Sequence, residues 1–234
     1  MLKPPLKTKK LNLFNIFLQS KYTHKLMSYK IEDLQDESRF RLIRKLQYEN
    51  IAEFVFENIQ KANFSTRFYF IINISLLALI IGLSIAGFKN DLFTFWKFFR
   101  FFVLGFISGS IFVIPLHELL HGIAYKIIGA PEVEFGADLK QGIFYVAANN
   151  YVVGKQEFTI IALTPFIVIN ITAFILIGFL TPYYFILTLL FLFFHNIMCI
   201  GDFAMLSYFH INKNKEIYTY DNHEEKLSYI YEKL

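Results

Sequence analysis

Residues 101–130 read FFVLGFISGSIFVIPLHELLHGIAYKIIGA, an apolar run broken near its end by His117-Glu118-Leu119-Leu120-His121. Helix rises about 1.5 Å per residue, so this run is long enough to cross about 30 Å of hydrocarbon. An ionisable side chain at the centre of such a helix costs on the order of 3 kcal/mol, which makes His117, Glu118 and His121 expensive unless they have a partner and a task. Histidines four residues apart share one helix face, and a glutamate beside the first can reach a water held between them. That spacing is the one zinc hydrolases use.

The remainder of the chain agrees with a membrane setting. Of its 234 residues 55% are apolar and 19% aromatic, and the mean hydropathy of +0.43 is too high for an ordinary soluble fold. Three further stretches, 68–88, 158–180 and 183–209, are long and apolar enough to span; with 101–124, continuing as helix to 128, they predict an all-α membrane protein with four transmembrane helices. Lys and Arg number 13 before the first span, 3 in 126–155 and 4 after 209, against 3 in 89–100. The bias predicts both termini in the cytoplasm and a multi-pass protein of a cell membrane, the inner membrane if the source is bacterial.

Three regions follow from this division: 1–67, basic, with a helical apolar rhythm from Ile31 to Lys61; 68–209, the membrane domain; and 210–234, a cytoplasmic tail. The first region is expected to be an amphipathic helix or a pair of them, capping the membrane domain or lying on its surface. Lys3 to Lys10 is basic, but the apolar patch 11–18 after it is short and interrupted, so no secretory signal is read. No basic-aromatic pattern points to nucleic acid. The lone Cys199 excludes an intrachain disulfide and reads as a small core residue. Between the second and third spans, 133–135 and 143–147 look like strands around the turn-like 138–142, a short β-hairpin placed over a cavity beside the membrane.

A hydrolytic zinc site needs three protein ligands and an open position for water. His117 and His121 supply two, and Glu118 suits a general base. For the third, Asp202, His195, His210 and Asp138 are candidates. Asp202 is preferred, because the second and fourth helices run in the same direction and Asp202, 19 residues after Tyr183, sits at the depth of the histidines. His195 lies on nearly the same face but about 10 Å away along the axis, and is expected deeper, orienting a ligand or simply buried. Pro115 is read equally as a kink and as a tolerated proline; Gly105 and Gly109 are read as a small-residue packing face.

These residues together carry a resemblance. With His117-Glu118-Leu119-Leu120-His121-Gly122, Phe144-Tyr145-Val146-Ala147, Leu163-Thr164-Pro165 and Asn196 ahead of Gly201-Asp202, the chain resembles the putative zincin peptidases, bacterial membrane proteins known as a domain of unknown function and similar in layout to site-2 proteases. The likeness covers about residues 101–206. It implies one zinc ion per chain on His117, His121 and Asp202, Glu118 as catalytic base, and Asn196 as the asparagine that precedes the ligand aspartate. Better-known site-2 proteases have a proline between asparagine and aspartate and a glycine after it; here the interval lacks proline and Phe203 follows. The expected activity is zinc-dependent hydrolysis of peptide bonds in membrane or membrane-proximal proteins, with Phe144, Tyr145 and Val146 holding an unwound substrate by strand addition. The competing readings are an ion-coupled transporter, in which His, Glu and Asp form a relay, and a catalytically silent metal-binding scaffold.

Overall fold

The computed structural model describes residues 29–138 and 143–234. The basic segment at Lys3 to Lys10, the apolar patch after it and the turn at 139–142 lie outside the described residues. In chain order the elements are α1 (Ile31–Leu34), β1 (Phe40–Gln47), α2 (Ile51–Ile59), α3 (Phe64–Lys89), α4 (Phe95–Ile107), a π-helical turn (Ser108–Phe112), α5 (Ile114–Ile127), β2 (Glu134–Asp138), β3 (Ile143–Ala147), β4 (Val153–Gly154), α6 (Lys155–Ile177), α7 (Pro182–Met198), α8 (Ile200–Ile211), β5 (Ile217–Asn222) and β6 (Leu227–Lys233).

Among the described residues, three helical stretches are long and apolar enough to cross a membrane: Phe64–Lys89, Phe95–Ile127 and Lys155–Ile177. Only 28%, 22% and 33% of their most apolar windows is buried within the protein. Helices apolar on nearly every side and mostly uncovered by their own fold are compatible with a lipid surround. The fourth span is not one straight helix. Tyr184–Met198 and Ile200–Ile211 meet at a 48° bend, and the count reaches four when this pair is taken as one span.

Local chemistry explains the ends of these helices. Asn63 caps α3 by accepting from the Thr66 amide while Thr66 Oγ1 accepts from the Asn63 amide, and Thr94 accepts from Lys97 at the start of α4. Pro115 falls in the first turn of α5, after the π turn, where its missing N–H is least costly. The end of α5 closes on Gly129 at φ +100°, with the Ala130 amide donating back to Tyr125 O.

The buried centre is α7, where Ile186, Leu189, Leu190 and Leu192 are all nearly inaccessible and α3, α4 and α6 pack around them. Gly105 and Gly109 are the reason α4 and the π turn approach so closely. A Cβ on Gly105 would stand 2.6 Å from Leu190 Cβ, and one on Gly109 would press into the Phe191 carbonyl oxygen. The packing reading of that pair therefore describes the contact made.

The all-α expectation needs correction. A four-stranded antiparallel sheet, ordered β1-β6-β5-β4, lies at one end of the helices, and β2 pairs with β3 as a separate hairpin running from Glu134↔Ala147 to Asp138↔Ile143. The helix expected over 31–61 is interrupted by β1: Phe40 and Leu46 are its buried residues, and the register shift between Leu42 and Arg44 puts them on opposite faces of the sheet. The spacing that suggested helix is satisfied by a bulged strand, because its pairing partner, β6, arrives from far along the chain, Arg41 lying opposite Glu232, 191 residues away. The segment after α8 supplies β5 and β6. The sheet thus joins the chain before α3, between α5 and α6, and after α8 at one end of the bundle.

Candidate metal centre

α5 presents His117, Glu118 and His121, and α8 presents Asp202. His117 Nε2 and His121 Nε2 are 3.0 Å apart. The two Asp202 oxygens lie 3.5 Å from His117 Nε2 and 3.4 Å from His121 Nε2. Donors set tetrahedrally about 2.1 Å from a central ion stand roughly 3.4 Å from one another, so the three side chains converge at the separations a shared ion requires. The bend before α8 matters here, because it places Asp202 in the first turn of a new helix, where unpaired backbone amides favour a carboxylate.

Each histidine is oriented from behind. His121 Nδ1 lies 2.9 Å from the carbonyl oxygen of Ile161 on α6, so it carries the proton and donates it, which leaves the Nε2 lone pair facing the cluster. That carbonyl is free for a reason written in the sequence: in a helix, Ile161 O would accept from residue 165, and residue 165 is a proline without an N–H. Leu163-Thr164-Pro165 was noted in the sequence only as part of a resemblance; its effect on His121 needs the two helices side by side.

His117 Nδ1 lies 3.2 Å from His195 Nε2. The sequence placed His195 about 10 Å off along a straight helix; the structure brings the two rings into hydrogen-bonding contact, because α7 packs against the π turn that leads into α5. Cys199, at the bend and fully buried, has its Sγ 3.8 Å from the same nitrogen. Among the described residues, two groups of side chains could therefore hold a metal ion: His117, His121 and Asp202, and His117, His195 and Cys199. Cys199 gave no sequence signal beyond its apolar surroundings. Of the other proposed third ligands, His210 hydrogen-bonds Ser65 instead, and the strand that ends at Asp138 belongs to the hairpin. Asn196 is fully buried and pairs with Asn170 of α6, its carbonyl accepting at 2.7 Å and its amide donating at 3.2 Å.

The β2–β3 hairpin lies directly on the motif helix. Gly122 makes room for it: a Cβ there would stand 3.2 Å from Phe135 Cζ and 3.7 Å from Val146 Cγ1. The backbone amide of Val146 donates towards the Glu118 carboxylate. Phe144, two residues earlier, is exposed, whereas Tyr145 packs edge-on against Tyr48 and His223. His223 also pairs with Glu134 at 2.7 Å, tying the hairpin to the turn between β5 and β6.

Comparison with known proteins gives one finding. No curated protein and no solved structure matches this chain. A family model described as putative zincin peptidase matches residues 110–217, which include both histidines of the motif, Glu118, His195, Cys199 and Asp202. Through that stretch, which runs from the π turn to the first residue of β5 and is just under half of the chain, the protein is similar to the putative zincin peptidase family.

Proposed function

We propose that this protein is a zinc-dependent, membrane-embedded metallopeptidase that hydrolyses peptide bonds in membrane or membrane-proximal protein substrates. The observation that carries the reading is the convergence of His117, His121 and Asp202, from two separate helices, at ligand spacing beside Glu118. The three fit a zinc ion by chemistry as well as distance. His121 has its lone pair turned inward by Ile161, and the aspartate offsets part of the ion's charge inside an apolar bundle. When bound, zinc polarises a peptide carbonyl and acidifies water.

The chain's own residues do the rest. Glu118 takes the proton from the attacking water and returns it to the departing amine nitrogen. The Val146 amide steadies the carboxylate for that exchange. Because the Val146 N–H points towards Glu118, that side of β3 faces away from β2, and by strand alternation Phe144 presents its backbone groups on the same side. An unwound substrate segment adds along this edge, with its peptide bonds passing the glutamate. The sheet gathers the N-terminal region, the α5–α6 connection and the C-terminus at one end, and the excess of basic residues in these segments supports a cytoplasmic location for that end.

The test is zinc per chain by elemental analysis of detergent-purified protein, wild type against Asp202→Ala. The reading expects about one zinc in the wild type and loss in a variant that stays folded. Folded wild type that is offered zinc and holds none removes the chemical basis for hydrolysis. With zinc in place, Glu118→Gln is the variant that retains and identifies substrates.

A further inference from the structure

His117 is engaged at both ring nitrogens. Its Nε2 belongs to the cluster with His121 and Asp202, while its Nδ1 stands 3.2 Å from His195 Nε2, and Cys199 Sγ stands 3.8 Å from that same nitrogen. One donor atom from each of His117, His195 and Cys199 lies within 4.8 Å of the others. An ion held tetrahedrally at about 2.05 Å from nitrogen and 2.3 Å from sulfur sets its nitrogen donors about 3.3 Å apart and nitrogen from sulfur about 3.6 Å apart. The observed spacings match both.

The surroundings match as well. His195 and Cys199 are fully buried, Cys199 at the bend between α7 and α8 and His195 one helical turn before it. His195 Nδ1 has no hydrogen-bond partner among the described residues, so this inaccessible ring is held by its contacts at Nε2. Those contacts are with His117 and Cys199, so the Nε2 lone pair of a neutral His195 faces the same point as their donor atoms.

We propose that His117, His195 and Cys199 form a second metal position, for a thiophilic divalent cation such as zinc or cadmium, adjoining the first and sharing His117 with it. Two nitrogens and one sulfur favour a soft ion over magnesium or calcium. The cation replaces the Cys199 thiol proton, which is released to water. A neutral imidazole has one lone pair, so His117 serves one position at a time. Filling the second position draws His117 away from His121 and Asp202, and excess cation thereby empties the first. This competition rests on the proposed function; the second position itself does not.

Cobalt(II), titrated into the detergent-purified full chain, distinguishes the cases, because a bound thiolate adds a near-ultraviolet charge-transfer band to the visible d–d absorption. The wild type is expected to develop the thiolate band. Cys199→Ser is expected to lose it completely and keep d–d absorption from the first cluster, while Asp202→Ala keeps the band and reaches it at lower cobalt. Far-UV circular dichroism establishes that each variant is folded, with Cys199→Ala as the alternative if the serine is not tolerated. Cobalt bound to wild type without a thiolate band overturns the second position and leaves the first standing. A band that vanishes in folded Asp202→Ala also overturns it, by assigning Cys199 to the first cluster. A band in the wild type with no d–d absorption in folded Cys199→Ser sustains the second position and overturns the His117–His121–Asp202 reading.

Discussion

Placing a methyl group at Gly105, Gly109 or Gly82 tests how closely the motif-bearing span is seated on α7. At Gly82 a Cβ meets nothing within 4 Å. At Gly105 it stands 2.6 Å from Leu190 Cβ, closer than the 3.0 Å that side-chain carbons respect, so something must move by about 0.4 Å. At Gly109 the obstacle is the Phe191 backbone carbonyl, with the carbon atoms behind it at 3.1 Å, and only a retreat of α7 relieves it. Overpacking of this kind costs about 1–3 kcal/mol, while alanine in place of a helical glycine returns about 1 kcal/mol. The expected order is Gly82→Ala neutral or slightly stabilised, Gly105→Ala weakened by about 1 kcal/mol and Gly109→Ala by about 2 kcal/mol. Reversible unfolding in mixed micelles with increasing dodecyl sulfate, followed by circular dichroism, measures these differences. His195 lies one helical turn beyond Phe191, so Gly109→Ala should also loosen the His117–His195 contact. A Gly109→Ala protein as stable as Gly82→Ala would refute the packing on which the position of His195 depends.

Other substitutions separate the roles assigned to the site. Glu118→Gln should keep its zinc and lose hydrolysis by about 10²- to 10⁴-fold, and loss of zinc instead would make Glu118 a ligand. Pro165→Ala restores an amide that competes for Ile161 O; zinc affinity, measured by chelator competition, should fall by about 10- to 100-fold, and unchanged affinity would detach His121 from that carbonyl. Asp221, outside the membrane-spanning helices, is pushed above the ordinary carboxylate value of 3.8 by burial, against the opposing Ser228 hydrogen bond and the charge of His223. The folded state therefore binds this proton more tightly than the unfolded chain, and stability falls as pH rises from 3.8 through the raised value. Asp221→Asn, which can still accept from Ser228, should be more stable than wild type at neutral pH and flatten that slope; parallel stability profiles for the two proteins would contradict it.

The sequence by itself determined what depends on local composition and spacing. Long apolar runs specify membrane helices because their own fold leaves most of their surface uncovered, and the i, i+4 histidines share a face whatever surrounds them. It also nominated Asp202, since the expense of a carboxylate in an apolar helix is visible without any structure. Tertiary structure decided everything that depends on pairing across the chain. β1 is a strand only because β6 lies beside it, which no rhythm within 31–61 could reveal. His195 meets His117 only because α7 packs against the π turn that leads into α5, a contact between helices that spacing along one span does not give. Pro165 matters only because the carbonyl it leaves unpaired faces His121 on another helix. In each case the deciding energy is an interaction between residues distant in sequence, and the residues themselves carry no mark of the partner they will meet.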